Sequence, residues 1–153
     1  MSKAGYSAAT GAAVPLVAAT AKTVLNVIAP ASFGVDLTKI RLAFDGITST
    51  AIPVLVELCY STQATAGTST AGTVNQIYGR TITAGFTTAY NYTVEPTVLT
   101  VIDSYLVSPY SGTVIYDYPL GTTPDTAVSN GLCIRLTAPL AVNVRATMYF
   151  ERC

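Results

Sequence analysis

Alternation with a period of two runs unbroken through residues 142–151. Val142, Val144, Ala146, Met148 and Phe150 share one face; Asn143, Arg145, Thr147, Tyr149 and Glu151 share the other. Successive side chains of a strand point to opposite sides, so the pattern specifies a strand with one face in a core. The same rule orders Leu132, Ile134 and Leu136 against Cys133, Arg135 and Thr137. It also orders Val54, Val56, Leu58 and Tyr60 against Leu55, Glu57 and Cys59, and Ile40, Leu42 and Phe44 against Lys39, Arg41 and Ala43. Ala138-Pro139-Leu140, between the last two runs, suits the turn of an antiparallel hairpin. That hairpin would put Arg135 and Arg145 on one sheet face.

No 3.6-residue periodicity competes with this pattern. Thr is the commonest residue at 24 copies, followed by Ala at 21 and Val at 16, and β-branched side chains fit a pleated, half-buried surface. About eight strands are predicted, at 22–28, 36–45, 52–62, 74–83, 97–107, 113–118, 131–138 and 141–152. Turn signals separate them at Asp45-Gly46, Ser111-Gly112, 120–125 and Asn130-Gly131. Residues 63–73, QATAGTSTAGT, read as an exposed, flexible loop. The fold expected is all-β: a single antiparallel β-sandwich over 22–153, of jelly-roll type. An immunoglobulin-like sandwich is the alternative, without its usual Trp. Residues 1–21 show no strand alternation and are expected to form an extended N-terminal arm.

Several function classes drop out. The chain has no His, so Ser-His-Asp and Cys-His catalysis and His-ligated zinc are excluded. Cys59, Cys133 and Cys153 are widely spaced with no C-x-x-C, and are expected to be free thiols; a Cys59–Cys133 bridge requires their strands to pair. Eight cations balance eight anions, so no basic excess draws nucleic acid. Gly5, Ser7, Thr10, Gly11 and Pro15 dilute the first 21 residues below the hydrophobicity of a secretory signal, and no apolar run is long enough to span a membrane. No cofactor or metal site is expected.

Three sets of side chains remain as candidates. Glu57, Asp103 and Asp117 lie in or at the ends of predicted strands, where a glycosidase's two carboxylates could be brought together, but their spacing selects no pair. Arg135 and Arg145 either face acidic groups of a partner or pair locally with Glu57 or Glu151. Ten Tyr stand against four Phe, and several cluster: Tyr90 with Tyr92, then Tyr105, Tyr110, Tyr116 and Tyr118. Tyr suits surfaces buried at one end and wet at the other, which describes an interface. The same side chain also fills half-buried strand positions, and a tyrosine-lined cleft can stack sugars.

The surface is short of charge. Charged residues are 10% of the chain, where an exposed surface normally carries about 25–35%. Such a surface is at ease when other proteins cover it. The stretch 97–121, TVLTVIDSYLVSPYSGTVIYDYPLG, and the end 131–152, GLCIRLTAPLAVNVRATMYFER, resemble small structural proteins of tailed bacteriophages, of the head-decoration or minor capsid type. The resemblance implies a non-enzymatic virion component made in the host cytoplasm. It would bind the major capsid protein at the capsid surface, as a homo-oligomer, often a trimer, without nucleic acid or membrane. Tyr110, Tyr116, Tyr118, Arg135 and Arg145 are the candidate interface. A tail or fibre component, and a carbohydrate-binding β-sandwich module, are the alternatives.

Overall fold

A computed structural model describes residues 3–45, 51–110 and 112–153. Gly46 and Ser111, each half of an expected turn, lie outside the described residues, as do Met1 and Ser2. Thirteen strands and no helix occur among the described residues. They are β1 Gly5–Ala9, β2 Val14–Leu16, β3 Ala21–Ile28, β4 Val35–Asp45, β5 Val54–Thr65, β6 Thr68–Ala71 and β7 Val74–Tyr78, then β8 Thr87–Val94, β9 Thr97–Val107, β10 Thr113–Asp117, β11 Asp125–Thr126, β12 Gly131–Thr137 and β13 Val142–Arg152.

The strands form two antiparallel sheets packed face to face, a β-sandwich. The first runs β10-β4-β13-β1-β7, with β11 on β4 and β2 on β13; the second runs β6-β8-β3-β12-β5-β9. Thirteen strands stand where about eight were expected; each expected range overlaps one strand, with β7 stopping at Tyr78 where the range ran to 83. The five additional strands are short or poor in apolar residues.

The core is where alternation put it. Val144 and Met148 of β13 are fully buried, as are Ile134 and Leu136 of β12, and Ile40, Leu42, Val56 and Leu58 join the same cluster. One end of the core is aromatic. Phe86 meets Phe150 edge-on at 4.9 Å and Phe33 at 5.1 Å, and Tyr6 packs against both Phe86 and Phe150.

Three expectations are corrected. The first concerns the arm. β1 lies between β13 and β7, β2 pairs with β13, and Tyr6, Ala8, Val14 and Leu16 are buried. The segment belongs to the sandwich because its strands pair along β13 and its few apolar side chains extend the inner row beside it. The second concerns the last hairpin. β12 and β13 lie in different sheets, so Ala138-Pro139-Leu140 is a crossover between layers. Each strand buries one face, and stacking them across the core lets both faces meet. The third concerns 63–73, which is exposed as expected but carries the end of β5 and all of β6, paired with β8.

Candidate binding surface

β9 and β10 are edge strands of opposite sheets, joined through residues 108–112. Between them the sandwich is open, and tyrosines close it. Tyr105 sits opposite Val56, and Tyr116 opposite Ile40, so both rings project from inward-facing rows. Their rings stack at 5.7 Å, and Tyr118 packs on Tyr116 at 4.8 Å. The hydroxyls of Tyr105 and Tyr118 are buried without a hydrogen-bond partner among the described residues. Burial, with Asp103 nearby, pushes the Tyr105 phenol up to about 12 and the Tyr118 phenol higher still.

Outward positions of the same two strands add single apolar side chains open to water among polar ones, Leu106 beside Ser104 on the second sheet and Ile115 between Thr113 and Asp117 on the first. Seven of the fourteen exposed large apolar side chains among the described residues fall between 98 and 120, on β9, on β10 and in the segments that follow them. Leu106 is 66% exposed, Ile115 55% and Leu120 94%, with Tyr110 at 64% on the connection. Tyr110 and Tyr116 are thus at the surface, while Tyr118 is half-buried packing. Sequence reasoning counted Tyr105 in the tyrosine cluster without making it a candidate, and missed Leu106 and Ile115, because only strand order sets β9 and β10 at the same end of their sheets.

The two candidate arginines separate. Arg135 faces outward from the second sheet opposite Glu57, and its Nε donates to a Glu57 carboxylate oxygen at 2.8 Å. The Glu57 hydrogen bond raises the Arg135 pKa against the opposing effect of burial. For Arg135 the local pair is the outcome. Arg145 lies on the outer face of the first sheet, diagonal to Arg41 across β13 and β4. These two guanidinium groups flank an open depression of about 380 Å³, lined also by Ala9, Ala43, Thr113 and Thr147.

The carboxylates are dispersed. Glu57 takes Arg135, Asp117 takes Lys39 at 3.2 Å, and Glu151 takes Lys3 at 3.0 Å and the Tyr78 hydroxyl at 2.5 Å. Burial pushes the Glu151 carboxyl up, but Tyr78 and Lys3 outweigh it and hold it below the usual range. Glu95 accepts from the Thr23 amide at 2.8 Å and from the Thr23 hydroxyl. Glu57 and Asp117, two of the three candidate acids, are on different sheets with different cations. No group of three metal-ligating side chains occurs among the described residues. Cys59 and Cys133 are buried cross-strand neighbours and free; Cys133, hydrogen-bonded to Cys59 and desolvated, is held well above the usual thiol range. No helix among the described residues is long and apolar enough to cross a membrane.

No family model matches the chain, and no curated protein is similar to it in sequence.

Proposed function

We propose that this protein is a non-enzymatic virion structural component that binds the outside of a phage capsid. It acts as a decoration or cement protein, and the β9–β10 edge is the docking surface. The observation that carries the reading is the run of exposed apolar side chains along that edge, on a chain with few charges to keep it soluble alone. An interface there would bury Leu106, Tyr110, Ile115, Tyr116 and Leu120 against the major capsid protein and stabilise contacts between capsomers. A homotrimer would present three such edges.

Strand order supports the jelly-roll reading. With β2, β6, β7, β8 and β11 set aside, one sheet runs β1-β13-β4-β10 and the other β3-β12-β5-β9. This matches the two-sheet, eight-strand order expected of a jelly roll, with β6–β8 inserted between its fourth and fifth strands, β5 and β9.

The test is co-sedimentation of the purified protein with empty capsids, beside its mass in free solution. Stoichiometric binding, lost in Tyr116→Ala or Leu106→Asp variants that remain folded, is the expected result. No binding, or unchanged binding in both variants, refutes the proposed edge. Recovery with tails or fibres rather than heads points to the tail component.

A second reading has one observation in its favour. Tyr60, Thr62, Thr100, Asp125 and Asn130 line an open depression of about 300 Å³, combining an aromatic ring with amide, hydroxyl and carboxylate groups. A carbohydrate module would use such a set for stacking and hydrogen bonding. A glycan array on which Tyr60→Ala abolishes retention would favour it over capsid decoration.

A further inference from the structure

We propose that the depression between Arg41 and Arg145 is a docking site for a carboxylate side chain of a partner polypeptide. Lys3, Lys39 and Arg135 have carboxylate partners, and Lys22 and Arg152 donate to main-chain carbonyls. Arg80, just beyond β7, is likewise without an ion pair, so what sets Arg41 and Arg145 apart is that they are neighbours. All eight Asp and Glu residues of the chain lie in the described residues, and none is within ion-pair distance of Arg41 or Arg145. Arg41 is instead near the Tyr149 ring, at 5.8 Å from its centroid.

Register fixes the geometry. Arg145 is opposite Ala43, and Arg41 is opposite Thr147, so the arginines are diagonal neighbours on one face. Diagonal neighbours in a sheet stand about 7–8 Å apart, within reach of long side chains. Two like charges at that spacing repel; Asp45, opposite Asn143, is the other diagonal neighbour of Arg145 on this face but makes no ion pair with it. Small residues beside them leave the depression, with Thr113 continuing Ala43's row onto β10 and Ala9 continuing Thr147's row onto β1. A carboxylate entering there can accept from both guanidinium forks.

Two observations select a protein carboxylate over a polyanion such as nucleic acid. The chain has zero net charge, and the nearby Lys39 is already paired with Asp117, so no extended basic field surrounds the site. The depression is also continuous with the apolar edge, since Ile115 stands directly opposite Arg41. A partner surface with an acidic side chain beside apolar groups fits both. The choice of occupant, though not the unpaired arginines, rests on the reading of the β9–β10 edge as an interface.

The test uses the whole protein with an N-acetylated tetraglutamate amide, a tetraglutamine control and inorganic phosphate. Binding is followed by calorimetry and by the NMR signals of the arginine Nε–H groups. The glutamate peptide is expected to bind and to move the Arg41 and Arg145 signals, weakening as salt rises, while tetraglutamine does not bind. Arg41→Gln with Arg145→Gln should weaken it about tenfold or more. Absence of binding, unchanged binding in the double variant, or movement of other arginine signals only, overturns the site. Phosphate binding as tightly as the peptide overturns the assignment to a polypeptide carboxylate. If the double variant does not fold, the signals of the unmodified protein decide. Failure here with capsid binding intact removes only this site; peptide binding without capsid binding removes only the decoration reading.

Discussion

The ring of Tyr6 is fully buried, stacked on Phe150 at 6.2 Å and edge-on to Phe86 at 5.5 Å, and its hydroxyl donates to the Ile82 carbonyl at 3.2 Å. Tyr6→Ala would leave a cavity at the aromatic end of the core and should cost about 3–5 kcal/mol, read from the denaturant midpoint. Loss below 1 kcal/mol would mean that the segment packs more loosely than described. Tyr105 gives a pH prediction. In the unfolded chain its phenol ionises near 10. In the folded chain the value is about 12. Below about pH 10 both states keep the proton and the full stability is present; above it the unfolded chain loses its proton first, so stability falls as pH rises toward the folded value. Tyr118 adds in the same direction. The thermal midpoint should therefore drop over this alkaline window, and less steeply in Tyr105→Phe. At neutral pH that variant should be close to neutral, because the hydroxyl removed has no partner among the described residues. An identical alkaline drop in both proteins would assign the loss elsewhere.

At the scale of elements, the first sheet depends on its earliest strands. β1 supplies the neighbour of β13 on one side and of β7 on the other, and β2 continues alongside β13. Deleting residues 1–16 would expose the inner row of β13 and unpair β7. The truncated chain should show no cooperative unfolding transition; a sharp transition near that of the full chain would return the segment to the role of an arm. β5 and β12 are tied on their outer face by Glu57 and Arg135, next to the buried Cys59–Cys133 pair. Glu57→Ala should cost about 1–3 kcal/mol, since it strands a partly buried guanidinium. Adding Arg135→Ala should recover part of that loss, and a fully additive double variant would show that the two side chains do not interact.

At the scale of the molecule, association through the β9–β10 edge would be mainly apolar. Zero net charge gives little long-range steering. Release from capsids should therefore change only modestly between low and moderate salt, with Arg41 and Arg145 supplying what dependence there is. Tyr110→Ala and Tyr116→Ala should promote release at every salt concentration. If either is an anchor of the interface, its loss costs about 2 kcal/mol or more. Steep salt-driven release with both variants still bound would move the attachment to the arginine face.

The inner faces of β4, β5, β12 and β13 were legible in the sequence because alternation is local: Val144 and Ile134 declare their side of the sheet through neighbours two residues away. β1 was not, since Ala8 carries little apolar signal and Tyr6 acquires its meaning from Phe86 and Phe150, far along the chain. β8 was obscured by Asn91, whose φ of 53° breaks the alternation between Tyr90, packed on the core, and Tyr92, bonded to Asn26. The separation of Arg135 from Arg145, and the meeting of Arg145 with Arg41, follow from strand order alone. The sequence by itself determined that β4, β5, β12 and β13 are strands and which of their faces is apolar. Only the tertiary structure decided which strands are neighbours, because pairing is set by backbone hydrogen bonds that any residue but proline can make, and by core packing summed over both sheets.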